Sequence, residues 1–305
     1  MSMVMMEKVA IFCKSYDKDM LRARRMAESV QRFNMDSIPL HLCVPRKDLS
    51  VFHECFSGIP CRFFCDEDVF AETAHRYGAL PGLFPPHLMQ QLIKLEFWRM
   101  GCCENYVWLD SDCYFIRPFF FSDFFADGEI PYTIMHDNTE LLSFARRMGR
   151  KKIIDDFIAM TRRMQEAFGR SGDVVDFGYP PLVWSAKVLQ SLDDCLRQRG
   201  KTIYDLLTRY PCEMQLYGEY LLYDKSIPVI PREPMFKVYH YAEQFYEDQE
   251  KGEYEYSLAQ RYLGVVMQSN WARLPGKKKR PRERFKRFML NFFQQIQRSL
   301  SHRGS

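Results

Sequence analysis

The chain has ten cysteines but no Cys-x-x-Cys pair, and Cys61 and Cys65 have no second metal-like pair to accompany them. A two-knuckle zinc site therefore has no signature here. No run approaches the roughly 18 apolar residues that a membrane-spanning helix needs. The first residues, Met1 to Lys8, lack the apolar centre of a secretion signal. Both absences lead us to expect a cytosolic protein with reduced thiols. No internal repeat is present, which sets aside solenoids and propellers. No Gly-rich loop follows the first apolar run, residues 9–13, so a phosphate cradle of that kind is missing. What the chain does have is length, at 305 residues, a hydrophobic content of 47% that can build a sizeable core, and 25 Phe that are mostly core filling.

Charge is unevenly spread. Residues 273–305 hold 11 Lys or Arg against one acid, Glu283, a net of +10, while the preceding residues hold 32 basic and 38 acidic side chains, a net of −6. An acidic body with a basic tail does not resemble a nucleic-acid-binding chain, and no nucleic-acid partner is expected. The boundary falls where Pro, Gly and Lys cluster, giving a body over 1–272 and a tail over 273–305.

Residues 9–13 read as a short buried strand, 20–33 as a helix with Leu21, Met26, Val30 and Phe33 on one face, and 38–44 as a second strand. This opening predicts an α/β fold with a mixed, mainly parallel sheet flanked by helices. A third strand is expected at 62–65, a helix at 87–100 and a strand at 130–135. Helices are expected at 139–168, 182–199, 202–209 and 213–223, and short strands at 227–231 and 236–241.

The most informative segment is Tyr106-Val107-Trp108-Leu109-Asp110-Ser111-Asp112. An apolar run of this kind reads as a buried strand. Alternation along a strand would turn Asp110 and Asp112 the same way and Ser111 the other. Ligands of open α/β sheets bind at the carboxyl ends of strands. Two carboxylates there suit Mg²⁺ or Mn²⁺, which take their remaining ligands from phosphates and water.

Four segments in order resemble nucleotide-sugar glycosyltransferases of the GT-A fold, in particular a bacterial group linked to surface polysaccharide or lipopolysaccharide synthesis. They are His87-Leu88-Met89-Gln90-Gln91-Leu92-Ile93-Lys94-Leu95, the Asp-x-Asp of Asp110 and Asp112 with Ile116-Arg117-Pro118-Phe119, Glu213-Met214-Gln215-Leu216-Tyr217-Gly218-Glu219-Tyr220, and Val238-Tyr239-His240-Tyr241. The resemblance implies sugar transfer from a nucleotide-diphosphate sugar to a glycan or lipid-linked acceptor, with Mn²⁺ or Mg²⁺ as cofactor. It departs from the pattern after His240, where Ala242-Glu243-Gln244 replaces a Gly-x-x-Lys-Pro-type segment.

Asp112 is the expected direct metal ligand, and Asp110 would hold the ribose or a metal-bound water. The bland alternative has one Asp capping a turn and the other paired with Arg117. His240 is either a third ligand or a core histidine beside Tyr239 and Tyr241. Asp17 either contacts a base or ribose or caps the first helix. Gln91 and Lys94 either reach the diphosphate or donor sugar or point into solvent. Glu213 is the candidate proton acceptor of an inverting transfer, with Glu219 its rival, and either can instead be an acid favoured by a helix dipole. Residues 177–184 can wall the donor-sugar or acceptor pocket, with Asp173 or Asp176 binding hydroxyls.

In the tail, Phe285, Phe288, Met289, Phe292, Phe293, Ile296 and Leu300 form an apolar helical stripe behind Lys277-Lys278-Lys279-Arg280. A basic amphipathic helix of this kind suits an anionic membrane surface, placing the protein in the cytoplasm, peripheral to the inner membrane. Packing on the chain's own body or on a second copy is the alternative. Two other function classes stand beside the transferase. One is a metal-dependent nucleotidyltransferase, which the missing Gly-rich loop weighs against. The other is an inactive membrane-bound scaffold, which the intact Asp110 and Asp112 weigh against.

Overall fold

A computed structural model describes residues 6–82 and 84–268; the tail and the body–tail boundary lie outside the described residues. In chain order the elements are β1 (Glu7–Lys14), α1 (Met20–Phe33), β2 (Leu40–Val44), α2 (Leu49–Cys55), β3 (Arg62–Cys65), α3 (Asp66–Tyr77), α4 (Pro86–Glu96), β4 (Cys103–Asp110), β5 (Cys113–Phe115), β6 (Phe125–Ala126), β7 (Ile130–Ile134), α5 (Thr139–Arg147), α6 (Lys151–Ala167), β8 (Leu182–Ser185), α7 (Ala186–Gln198), α8 (Ile203–Arg209), α9 (Glu213–Asp224), β9 (Ile230–Arg232), β10 (Phe236–Tyr239), α10 (Ala242–Glu250), α11 (Glu255–Leu258) and β11 (Gly264–Met267).

The main sheet runs β3-β2-β1-β4-β8. Its first four strands are parallel, and β8 closes the edge antiparallel to β4. The fold is thus the mixed, mainly parallel α/β architecture expected, with helices packed on the sheet. Two three-stranded sheets stand beside it, β10-β11-β5 and β6-β7-β9. β1 and β4 are buried along most of their length, as near-continuous apolar strands in a covered sheet must be.

Four expectations need correction. The segment 182–199 is not one helix: Leu182–Ser185 is a strand and the helix starts at Ala186. The Pro180-Pro181 pair before it and the Val-Trp run favour an extended edge strand, which then pairs Trp184 with Tyr106. The strand expected at 227–231 is Ile230–Arg232. Leu21 does not join Met26 and Val30 in the core, because it sits 74% exposed at the start of α1. Finally, β4 ends at Asp110. Ser111 and Asp112 form a turn, and β5 belongs to another sheet. Alternation along one strand therefore does not set the direction of Asp112.

An aromatic stack ties the layers together. Trp108 of β4 and Trp184 of β8 have ring centroids 5.1 Å apart, and Trp184 stacks on Tyr217 of α9 at 5.0 Å and 16°. Tyr217 Oη accepts the Ser185 backbone N–H at 2.9 Å. Because Glu213 is four residues before Tyr217, it lies on the same face of α9, so this contact fixes where Glu213 enters the site. Tyr217→Phe keeps the ring but leaves the Ser185 amide buried without its acceptor. We expect a loss of about 1–3 kcal/mol in urea unfolding; an unchanged midpoint and slope would show that this bond does not hold α9.

Candidate functional site

Lys94 is the centre of the site. It is on α4, whose Leu88, Leu92 and Leu95 face inward, and the Lys94 carbonyl accepts the Tyr106 O–H at 2.6 Å. Its side chain is only 4% exposed, with Nζ 2.7 Å from Asp110 Oδ1, 3.0 Å from Glu213 Oε1 and 4.1 Å from the centre of the Trp108 ring. Burial by itself would make this amine easier to deprotonate. The charges of Asp110 and Glu213, and the hydrogen bonds to both, outweigh it and raise the Lys94 pKa above its ordinary value. The solvated lysine considered from the sequence is thus not found. Lys94 instead bridges a strand end and a helix start.

Asp110 keeps 34% of its side chain open while bound to Lys94. Glu213, the first residue of α9, is buried. Its rival Glu219 is fully buried against Arg170 (2.7 Å), with Gln165 and Gln215 each 3.3 Å from Oε1. That is a satisfied core carboxylate, so Glu219 has no free face for chemistry.

Asp112 lies in the turn between β4 and β5, half-buried, and its carbonyl accepts the Met267 N–H at 2.9 Å. β11 pairs with both β5 and β10, so Asp112 and Tyr239 flank Met267 from opposite sides. His240 follows Tyr239 directly. Asp112 and His240 are therefore carried by the small sheet, about two strand spacings (~10 Å) apart along the backbone. Ser111, buried between them and the main sheet, donates to Ser15 Oγ at 2.9 Å and pins the turn to the end of β1.

His240 is half-buried and meets the Tyr179 ring edge-on at 4.7 Å. Burial, then the nearby charges of His136 and Lys237, lower its pKa to about 4, so the imidazole is neutral at physiological pH. The departure after His240 has a structural role: Gln244 Oε1 accepts the backbone N–H groups of His240 (2.9 Å) and Tyr241 (3.1 Å) and caps α10. Among the described residues, no group of three or more His, Cys, Asp or Glu side chains is placed to hold a metal ion by itself.

The remaining predicted residues lie around this centre. Asp17 opens a short 3-10 turn, and its backbone N–H donates to Asp48 Oδ2 at 3.1 Å; its side chain makes no cap. Gln91, one turn before Lys94, reaches the Pro211 carbonyl at 3.4 Å, leaving its buried Oε1 without a partner. Asp173 is exposed. Asp176 is buried, accepts from Asn138 Nδ2 and from the Gly178 N–H (2.8 Å), and lies 3.9 Å from His136 Nε2. His136 and Asn138 were not singled out from the sequence. The polar triplet ending the strand at 130–134 was their one signal.

A family model described as a family of unknown function (DUF6492) matches residues 3–260. No curated protein matches. Among solved structures, the apo form of mouse xyloside xylosyltransferase 1 aligns at a TM-score of 0.43 and 7% identity, covering 86% of this chain and 98% of that one.

The His240 environment has a signed pH consequence. With an ordinary value of 6.5 and a folded value near 4, the unfolded chain binds the proton more readily between those limits. Its contribution to stability is present above pH 6.5 and is lost as pH falls toward 4. His240→Gln should flatten urea-derived stability across that window relative to wild type. Parallel curves for the two proteins would show that His240 does not titrate this way.

Proposed function

The chain belongs to the DUF6492 family, and we propose that it is a glycosyltransferase moving a sugar from a nucleotide-diphosphate sugar to a glycan or lipid-linked glycan. The observation that carries this reading is the buried Lys94 held between Asp110, at the carboxyl end of a central parallel strand, and Glu213, at the start of a facing helix. Ligands of α/β sheets lie at such strand ends. The ordered motifs on which the GT-A resemblance rests place their charged residues around that same point.

The donor set fits a divalent ion that arrives with a diphosphate. Asp110 and Asp112 are hard oxygen donors, and His240 keeps a neutral ring nitrogen. Mg²⁺ and Mn²⁺ use few protein ligands and complete their shell from phosphate and water. Such an ion offsets the negative charge that builds on the leaving diphosphate.

The protein groups then divide the work. Lys94 holds Asp110 in one orientation and keeps the charge of two nearby carboxylates balanced. Asp112 and His240 approach from the small sheet. Asp17 and Gln91 border the nucleotide side. Glu213 accepts the proton of the acceptor hydroxyl if the reaction inverts. Tyr179, Asp176 and His136 offer the aromatic face and polar groups suited to sugar hydroxyls. In the same reading, the basic, Phe-rich tail holds the enzyme on an anionic membrane, near the inner-membrane assembly of a bacterial surface polysaccharide.

Two experiments test this. Nucleoside diphosphates and nucleotide sugars, with and without Mn²⁺, should raise the melting temperature of the wild type, and Asp112→Ala should lose the Mn²⁺-dependent part. With the donor so identified, Glu213→Gln should keep that shift and lower transfer by about 10²–10⁴-fold. No shift with any donor would favour a scaffold, and a shift only with nucleoside triphosphates a nucleotidyltransferase. Deleting residues 275–305 should abolish binding to anionic vesicles without changing donor binding. Unchanged vesicle binding would remove the tail from the reading.

A further inference from the structure

The opposite end of β4, about 23 Å along the strand from Asp110, carries a second cluster of reactive groups. Cys102 and Cys103 are adjacent, and both are free. Their Sγ atoms lie 3.9 Å apart, and Cys102 Sγ is 3.7 Å from His41 Nδ1. The other ring nitrogen of His41 is 3.1 Å from Glu7 Oε2. That Glu7 oxygen is buried and has no hydrogen bond of good geometry, and the His41 ring nitrogen is the polar atom beside it. Phe64 and Phe97 wall the imidazole, at 5.2 and 6.2 Å. Sulfur, imidazole and carboxylate thus stand in line, with a second sulfur in reach of the first.

This arrangement separates Cys102 from the chain's other thiols, while the hydrogen bond with Cys102 and then burial push the Cys103 thiol up. Burial raises the pKa of Cys13, Cys43, Cys113 and Cys212, which keeps them as inert thiols. Cys102 moves the other way: its hydrogen bond with Cys103, then His41 and the charge of Arg62, favour its thiolate over the effect of burial. Cys102 is buried with 6% of its surface open, and Glu7 beside it is half-buried.

We propose that Cys102 and Cys103 form a peroxide-reactive dithiol, with Cys102 as the attacking sulfur, His41 as the group that holds and supplies the proton, and Cys103 as the resolving thiol. The co-reactant is a hydroperoxide, ROOH. The Cys102 thiolate attacks the terminal oxygen, the O–O bond breaks, and the alkoxide leaves as ROH with the proton shared by His41. Cys102 is then a sulfenic acid. Cys103 attacks the Cys102 sulfur, its S–H proton leaves with the hydroxyl as water, and a disulfide forms. In sum, ROOH and two thiols give ROH, water and one disulfide. The dithiol is oxidised by two electrons and the peroxide is reduced by two. Glu7 acts only through His41 and is a positioning residue.

The test uses the full chain, reduced and then exposed to hydrogen peroxide, with mass spectrometry of the peptide holding residues 102 and 103. We expect loss of two hydrogens from that peptide, reversed by dithiothreitol. Cys103→Ser should stop at a sulfenic acid on Cys102 that dimedone traps. Glu7→Gln, a change at a partly exposed side chain, should slow Cys102 consumption roughly tenfold and make its rate against pH rise at a higher pH, as expected if the carboxylate supports the thiolate through His41. The proposal is overturned if the pair in the folded wild type stays reduced while Cys55 or Cys195 oxidises first. It is equally overturned if dimedone finds no sulfenic acid on Cys102 in Cys103→Ser. Both readings come from folded wild type or a single-atom variant, so a destabilised mutant does not decide the outcome.

Discussion

One buried ammonium ties three elements of this molecule together. An isolated charge taken into a protein interior costs several kcal/mol, and Lys94 is almost wholly enclosed. It is tolerated because two carboxylates meet it from separate elements, Asp110 from β4 and Glu213 from α9, with the Trp108 ring beneath. Remove the cation and two acids face each other in a dry site. Remove either acid and the ammonium loses half of its compensation. α4, β4 and α9 are therefore locked to one register by charge, while the Trp108–Trp184–Tyr217 stack locks β4, β8 and α9 by packing.

The second half of the site is built on a different support. β4 delivers Asp110 to the rim of the main sheet and stops. Ser111 turns inward to Ser15, and the chain crosses to the small sheet, where β11 carries Asp112 and Tyr239 on either side of Met267. Two aspartates separated by one serine are thus rooted in two sheets.

Much of this was legible in the sequence, and the rest failed for identifiable reasons. The β1-α1-β2 opening, the apolar run into Asp110 and the α4 helix follow from their apolar patterns, with Leu21 the exception on α1. Leu182–Ser185 has three apolar residues and a serine before a helix, too short a run to show a period, and only pairing with β4 makes it a strand. The turn after Asp110 was missed because Asp-Ser-Asp continues a strand pattern equally well. β11 is four residues long and gains its identity from two partners distant in sequence. The pairing of Lys94 with Glu213 spans 119 positions, and no local rule reads such a contact. The role of Gln244 is a local one: its side chain accepts the backbone N–H groups at the start of α10.

The burial of Glu213 bears on whether it is there for the helix or for chemistry. An acid in the first turn of a helix gains about 0.3–1 kcal/mol from the dipole, and it does so best at the surface. A fold that needed only a helix start would leave this side chain in water, as it leaves Glu255 at the start of α11 half-open. Glu213 is instead enclosed, at a desolvation cost of several kcal/mol, which exceeds anything the dipole returns. Lys94 makes that enclosure possible, and Lys94 is itself enclosed only because Glu213 and Asp110 are there. Neither Lys94 nor Glu213 gains from burial alone: the two acids retain the ammonium, and the ammonium retains each acid. A charge cluster that stabilises itself without stabilising the fold more than an apolar core would is what a site built to meet a charged ligand looks like.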